Sequence, residues 1–198
     1  MINNSYKKCS KMKVIQNVSY NDVARLLKDN NIVAIYQGND EGGPRALGNR
    51  SILFNSSVNE TAKVVNLRKL REWYRPVAGS ILLEDFERWF LTKSLNESPF
   101  MTHAFDVNPE KSRLIPAIIH KNNTCRIQTV TQEQNFHYYN LIKEFKKITG
   151  IPVIGNTSLN LGGYPIAHTL KDALHVIQNS MFEYLYLPEK QSLIYSKN

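Results

Sequence analysis

Cysteine is nearly absent: the 198 residues carry two, Cys9 and Cys125, far apart and without CxxC spacing. That excludes a disulfide framework and a thiolate zinc centre, and it fits a reducing compartment. Long apolar runs are missing as well, so nothing here is long enough to span a bilayer. Met1 to Lys13 is polar and basic and lacks the apolar stretch of a secretory signal. The expectation is a soluble, cytoplasmic protein with no membrane partner. Acid is scarce beside base: 17 acidic residues face 25 basic ones, a net charge of +8. Such a balance favours anionic partners without choosing among nucleotides, phosphates and nucleic acid. Neither common phosphate loop, GxxxxGK[ST] or GxGxxG, occurs. No Ser-His-Asp set, no metal-ligating cluster, no activated cysteine and no internal repeat is legible.

What is present is a hydrophobic content of 42%, enough for one core. Strand-like runs alternate with helical ones. Helices are predicted after a cap at Asn21 or Asp22, from Asn59 to Trp73 on the apolar positions Val64, Leu67 and Leu70, over Asp85 to Leu91, from Asn135 to Thr149 with a stop at Gly150, and from Leu170 to Met181 opened by Thr169. Strands are predicted at 32–36, 51–54, 80–83, 100–105, 115–120, 126–130, 151–154 and 182–187. The 115–130 region reads as an antiparallel hairpin around the turn Lys121-Asn122-Asn123-Thr124. The class is α/β, a mixed twisted sheet with flanking helices in a single domain over residues 20–190. Residues 1–19 read as a flexible lead-in and 191–198 as a tail.

Four polar segments lie at strand ends or in loops, where ligand sites gather. The first, Glu41-Gly42-Gly43-Pro44-Arg45-Ala46-Leu47-Gly48-Asn49-Arg50-Ser51, follows a buried strand and combines backbone freedom with guanidinium forks suited to phosphate or carboxylate. The second, Lys69 to Pro76, adds Lys69, Arg71 and Arg75. The third runs from His120 to Gln128; Arg126 and Gln128 lie two apart and share a strand face, which Thr124 joins if the strand starts that early. The fourth is the polar loop Asn156-Thr157-Ser158-Leu159-Asn160. Fixed cations and neutral donors together suit a ligand with phosphates and a carbonyl or amide, and chemistry done by positioning and charge neutralisation. His103, His137, His168 and His175 share no spacing and read as structural. Cys125, Phe86, Trp89 and Phe90 read as core.

These residues resemble the C-terminal, YrdC-like domain of the NodU/CmcH-type O-carbamoyltransferases. Gly38 to Ser51 follows the family form G-x-x-E-x-G-P-R-A-L-G-x-R-S. Lys69 to Ala78 follows K-x-R-E-x-x-R-P-x-A, and Ser98 to Met101 follows S-P-x-M. His120 to Val130 matches H-x-D-G-T-x-R-x-Q-T-V with Asn122-Asn123 in place of Asp-Gly. Thr149 to Asn160 matches T-G-x-P-x-x-x-N-T-S-x-N. The resemblance implies ATP and Mg²⁺ as cofactors, carbamoyl phosphate as co-substrate, and carbamoyl-adenylate as product. It implies that Arg45, Arg50, Lys69, Arg71 and Arg75 hold phosphates. Ser51, His120, Thr124, Arg126 and Gln128, with Asn156, Thr157, Ser158 and Asn160, would line the nucleotide and carbamoyl pocket; no protein metal site is expected. The family's other half is kinase-like and transfers the carbamoyl group to a hydroxyl, so a separate transferase subunit is an expected partner. A second reading is a module that holds a nucleotide or RNA without turnover. Basic and aromatic residues do not interleave as a base-stacking surface would require, which disfavours nucleic acid.

Overall fold

The computed structural model describes residues 12–196. In chain order the elements are β1 (Met12–Ile15), α1 (Tyr20–Lys28), β2 (Val33–Tyr36), β3 (Arg50–Asn55), α2 (Thr61–Arg68), β4 (Ala78–Leu82), α3 (Phe86–Trp89), β5 (Phe90–Leu91), β6 (Ala104–Val107), α4 (Pro109–Ser112), β7 (Thr124–Val130), α5 (Phe136–Thr149), β8 (Val153–Ser158), α6 (Leu170–Asn179), β9 (Tyr184–Leu187) and β10 (Ser192–Ser196). The strands form one mixed ten-stranded sheet in the order β1-β10-β9-β2-β3-β8-β4-β7-β6-β5. Two neighbouring pairs, β2 with β9 and β4 with β7, run parallel. The α/β class with a mixed sheet is therefore as expected.

The central strands explain their own position. Every residue of β3 and of β4 is buried, so each reads as a nearly continuous apolar run with small polar residues and glycine between. α5 packs Tyr138, Leu141, Ile142 and Phe145 inward and ends on Gly150 at φ 76°, a left-handed cap. Thr169 caps α6 as predicted, exchanging hydrogen bonds with Asp172. No helix among the described residues is long and apolar enough to cross a membrane.

Several local expectations are corrected. Part of the lead-in and of the tail is strand: β1 pairs antiparallel with β10 at the sheet's edge; residues 1–11, including Cys9, and 197–198 lie outside the described residues. Ser19, rather than Asn21 or Asp22, caps α1, because its hydroxyl and the Asp22 carboxylate satisfy each other's backbone N–H groups. α2 stops at Arg68, and Val64, Leu67 and Leu70 face outward while Val65 and Asn66 are buried. A buried amide outranks exposed leucines there because Asn66 Nδ2 donates to the carbonyls of Trp73 and Arg75, holding the next loop against the helix. The predicted strand at 115–120 is instead a 3-10 turn over Pro116–Ile118, since proline cannot donate to a ladder. No 115–130 hairpin forms; β7 pairs with β6 and β4. The 100–105 strand begins only at Ala104, and Phe90 leaves its helix to start β5. Asn156, Thr157 and Ser158 belong to β8, not to a loop.

Candidate functional site

The Gly-Gly-Pro-Arg loop joins β2 to β3, whose ends meet at the Tyr36–Arg50 pair. From Ala46 onward its backbone is tied down almost group by group. Glu41 accepts from the N–H groups of Leu47 at 2.7 Å, Asn49 at 2.8 Å and Arg50 at 3.1 Å. Asn156 donates to the Ala46 carbonyl at 3.1 Å, Gln128 to Leu47 at 2.9 Å and Gln37 to Gly48 at 2.8 Å. Ser51 Oγ accepts from the Gly48 N–H at 3.0 Å. Arg50 is 2% exposed. It donates to the Gln37 carbonyl and to Asp40, and its guanidinium lies 3.8 Å from the Tyr36 ring centre. Buried polar groups demand partners, and most of these find them in one loop, Arg50 Nε and Asn156 Oδ1 excepted. That bracing carries Arg45 outward; its own guanidinium is exposed and, among the described residues, donates to the Pro44 carbonyl at 3.4 Å.

Arg45 forms one wall of a cavity of about 420 Å³. Lys69, Arg71 and Arg75, between α2 and β4, form a second. His120 and Arg126 form a third, and Asn156, Thr157, Ser158 and Asn160, with Gly162 and Gly163, the fourth. Ten of the fourteen expected site residues thus meet in one place. Arg50, Ser51, Thr124 and Gln128 do not line it. Arg50, Ser51 and Gln128 brace the Arg45 loop, and Thr124 stands behind His120, its hydroxyl 3.0 Å from the ring Nδ1.

Lys69 is 2% exposed, and its ammonium has no carboxylate partner among the described residues. It contacts the Ser158 carbonyl, Ser158 Oγ at 3.1 Å, Asn160 Oδ1 at 3.0 Å and Thr157 Oγ1 at 3.4 Å. Burial, with the Arg71 charge adding to it, brings the Lys69 pKa down to about 7. Burial and the neighbouring Arg45 charge also lower Arg126, and burial with Arg75 lowers Arg71. His120 is held below its ordinary value by burial and by Arg126. The cavity is thus crowded with positive charge, and none of its lining residues is Asp or Glu. Glu72 pairs with Arg75 at 3.4 Å on the exposed side, and its charge also reaches Arg71.

Two contributors escaped sequence reading. Gly162 donates its N–H to the Lys69 carbonyl at 2.6 Å, and a β-carbon there would overlap the Leu70 carbonyl. Only glycine permits that approach, but the sequence shows just one more loop glycine. Glu41 stood inside the quoted motif, and its role as a backbone clamp became visible only with the loop closed. Burial raises its pKa against the pull of the three N–H groups it accepts.

Fold and site together define an α/β domain with one cavity lined by arginine, lysine and neutral polar side chains. The chain belongs to a known family: the carbamoyltransferase C-terminus profile matches residues 24–193. It is 41% identical over 152 residues to the uncharacterized protein MJ1058 of Methanocaldococcus jannaschii, a match covering 76% of this chain and 25% of that protein. It is 40% identical over 153 residues to nodulation protein NolNO of Sinorhizobium fredii, covering 76% of this chain and 22% of the relative. Nodulation protein U of Rhizobium tropici is 37% identical over 142 residues, 72% of this chain and 24% of its own length. The chain therefore spans about a quarter of the length of these relatives. Among solved structures, full-length HypF in a phosphate- and nucleotide-bound form shares the fold, with TM-score 0.61 at 17% identity, over 94% of this chain and 22% of that one.

Proposed function

We propose that this domain binds ATP and carbamoyl phosphate in the basic cavity and joins a carbamate to the α-phosphate. Water first cleaves carbamoyl phosphate into carbamate and inorganic phosphate; the carbamate oxygen then bonds to the α-phosphorus, the α–β anhydride bond breaks, and pyrophosphate leaves with the electron pair. A transferase portion, which we assign to a separate subunit, then moves the carbamoyl group from the adenylate to a hydroxyl. The observation that carries this reading is the convergence of Arg45, Arg71, Arg75, Arg126 and Lys69 on one cavity without a lining carboxylate. Bringing carbamate against a triphosphate crowds anionic oxygens, and fixed cations lower that repulsion without reorganising. The nucleotide- and phosphate-bound state of HypF, a protein of the same fold, supports it.

The lining fits Mg²⁺ only as a phosphate-bound ion. Protein oxygens for it would come from Thr157, Ser158 and Asn160 rather than from a carboxylate, and no cluster of three or more His, Cys, Asp or Glu occurs among the described residues. Its contribution when bound is to draw charge from the phosphate oxygens. The guanidiniums of Arg45, Arg71 and Arg126 orient the phosphates. Lys69 fixes Ser158 and Asn160 beneath them.

ATP–pyrophosphate exchange measured on this chain, with and without Mg²⁺, tests the reading. Exchange that depends on carbamoyl phosphate is the expected result. Saturable RNA binding with a steep salt dependence and no exchange would replace it with the binding-module reading.

A further inference from the structure

The Ser98-Pro99-Phe100-Met101 turn lies beside the basic cavity and is fixed more tightly than a plain connection needs. Ser98 is buried: its N–H donates to Thr129 Oγ1 at 2.9 Å and its hydroxyl to the Ile127 carbonyl at 3.0 Å, while its own carbonyl accepts from the Thr129 N–H at 3.0 Å. Three bonds to β7 thus pin the turn. Met101 is buried and sits at φ 54°. Residues with a β-carbon rarely adopt that conformation, and it persists where the surroundings impose it. Phe100 is the opposite case: it is 65% exposed and stacks on no other ring among the described residues. One exposed aromatic residue is ordinary. One held on a pinned turn at the rim of a cavity is placed to receive a flat ligand.

Phe100 and Met101 line a second cavity of about 540 Å³, to which Leu47 and Ala104 add apolar surface. Arg45, His120 and Arg126 line this cavity and the basic one alike. The two chambers therefore share a wall of cations, with apolar side chains beyond it. A ligand that fits both has phosphates at one end and a flat, largely apolar group at the other. We propose that the second cavity takes the purine ring of the nucleotide, stacked on Phe100 and Met101, while the phosphates lie against Arg45 and Arg126; this rests on the ATP reading above. Aromatic rings and thioether sulfur both pack well on a ring. Thr102 and His103, hydrogen-bonded to each other at 2.9 Å, line the same cavity and supply polar groups for the ring's edge. The opposite flank is a weaker seat. A third cavity, beside Trp73 and Tyr74, shares only Arg75 among the arginines of the basic one, and Glu72 offsets that charge. Trp73 is also already engaged, edge-on with Tyr74 and with Lys63 5.8 Å from its ring centre.

The test compares ATP with inorganic triphosphate by calorimetry on the full chain. ATP should bind at least about fivefold more tightly, and F100A should erase that margin while leaving triphosphate affinity unchanged. R45A should weaken both ligands together, and W73A should leave both as they are. Because Phe100 is exposed, F100A should keep the melting temperature of the parent. F100W gives a second reading: ATP should quench the added indole fluorescence and triphosphate should not. Equal affinity of the unaltered chain for the two ligands, an intact margin in F100A, or a margin lost in W73A instead overturns the proposal. If carbamoyl-phosphate-dependent exchange still occurs in those cases, the adenylate reading stands without it. A margin that depends on Phe100 in a chain that shows no exchange does the reverse.

Discussion

Gln128 Nε2 donates to the Leu47 carbonyl at 2.9 Å, joining β7 to the Arg45 loop across 81 positions of chain. The other end of the same amide accepts from Ser80 Oγ at 2.8 Å. Gln128 thus spends both ends on scaffold, and the scaffold is what aims Arg45. Q128A leaves the Leu47 carbonyl without this donor and the Ser80 proton without this acceptor, although Ser80 Oγ still accepts from Asn156 Nδ2 at 3.1 Å. It should lower stability by about 1–3 kcal/mol in a denaturant titration, and it should weaken ATP binding although the side chain never reaches the cavity.

The two arginines of the loop should separate cleanly. R45A is expected to leave the melting temperature within about a degree of the parent, since Arg45 is exposed and makes one long contact. Its ATP affinity should fall at least tenfold by calorimetry. R50A should behave in the opposite sense. It removes a buried guanidinium that bridges Gln37, Gly38 and Asp40, at a cost of roughly 1.5–3 kcal/mol in stability. Equal melting temperatures for the two variants would contradict this division of labour.

Glycine substitutions in the same loop offer a third comparison. Gly43 and Gly48 both have positive φ, 113° and 106°. A β-carbon at Gly43 meets open space, whereas one at Gly48 would overlap the Tyr138 ring. G43A should cost about 1–2 kcal/mol through backbone strain alone. G48A adds overpacking of about 1–3 kcal/mol, so it should be the less stable of the pair in urea unfolding.

Lys69 sets the expected pH behaviour. Its pKa falls from 10.5 in the unfolded chain to about 7 in the folded one. Between those values the unfolded chain holds the extra proton, so stability from this group rises with pH across that window; below about 7 both states are protonated and the burial cost is constant. K69M should flatten the rise. Anion binding runs the other way. Affinity for sulfate, whose charge does not change, should be higher at pH 6 than at pH 8 by calorimetry, and K69M should shrink this difference to what His120 in the same cavity contributes.

Much of the site was legible as residue types in segments. Arg45, Lys69, Arg71, Arg75, His120, Arg126, Asn156, Thr157, Ser158 and Asn160 were picked out from the sequence and meet in one cavity. Less legible was which polar residue faces the ligand. On β7, Arg126 and Gln128 share a face by simple alternation, yet one lines the cavity and the other braces a loop, because the strand's length carries them past different neighbours. The apolar stripe of α2 misled for a related reason: Val64 and Leu67 have helical spacing, but the buried side is chosen by Asn66 and its two carbonyl partners.

Composition and local pattern alone determined the class of the fold, the strong helices with their caps at Gly150 and Thr169, and the excess of positive charge. Those properties depend on neighbours within a few residues or on simple sums. Only the folded chain decided that Lys69 is buried beside Ser158 and Asn160 without a carboxylate, and that Glu41, Gln128 and Asn156 hold one loop in place. A pKa near neutrality and a braced backbone come from groups brought together over some ninety positions, and desolvation acts on what is close in space.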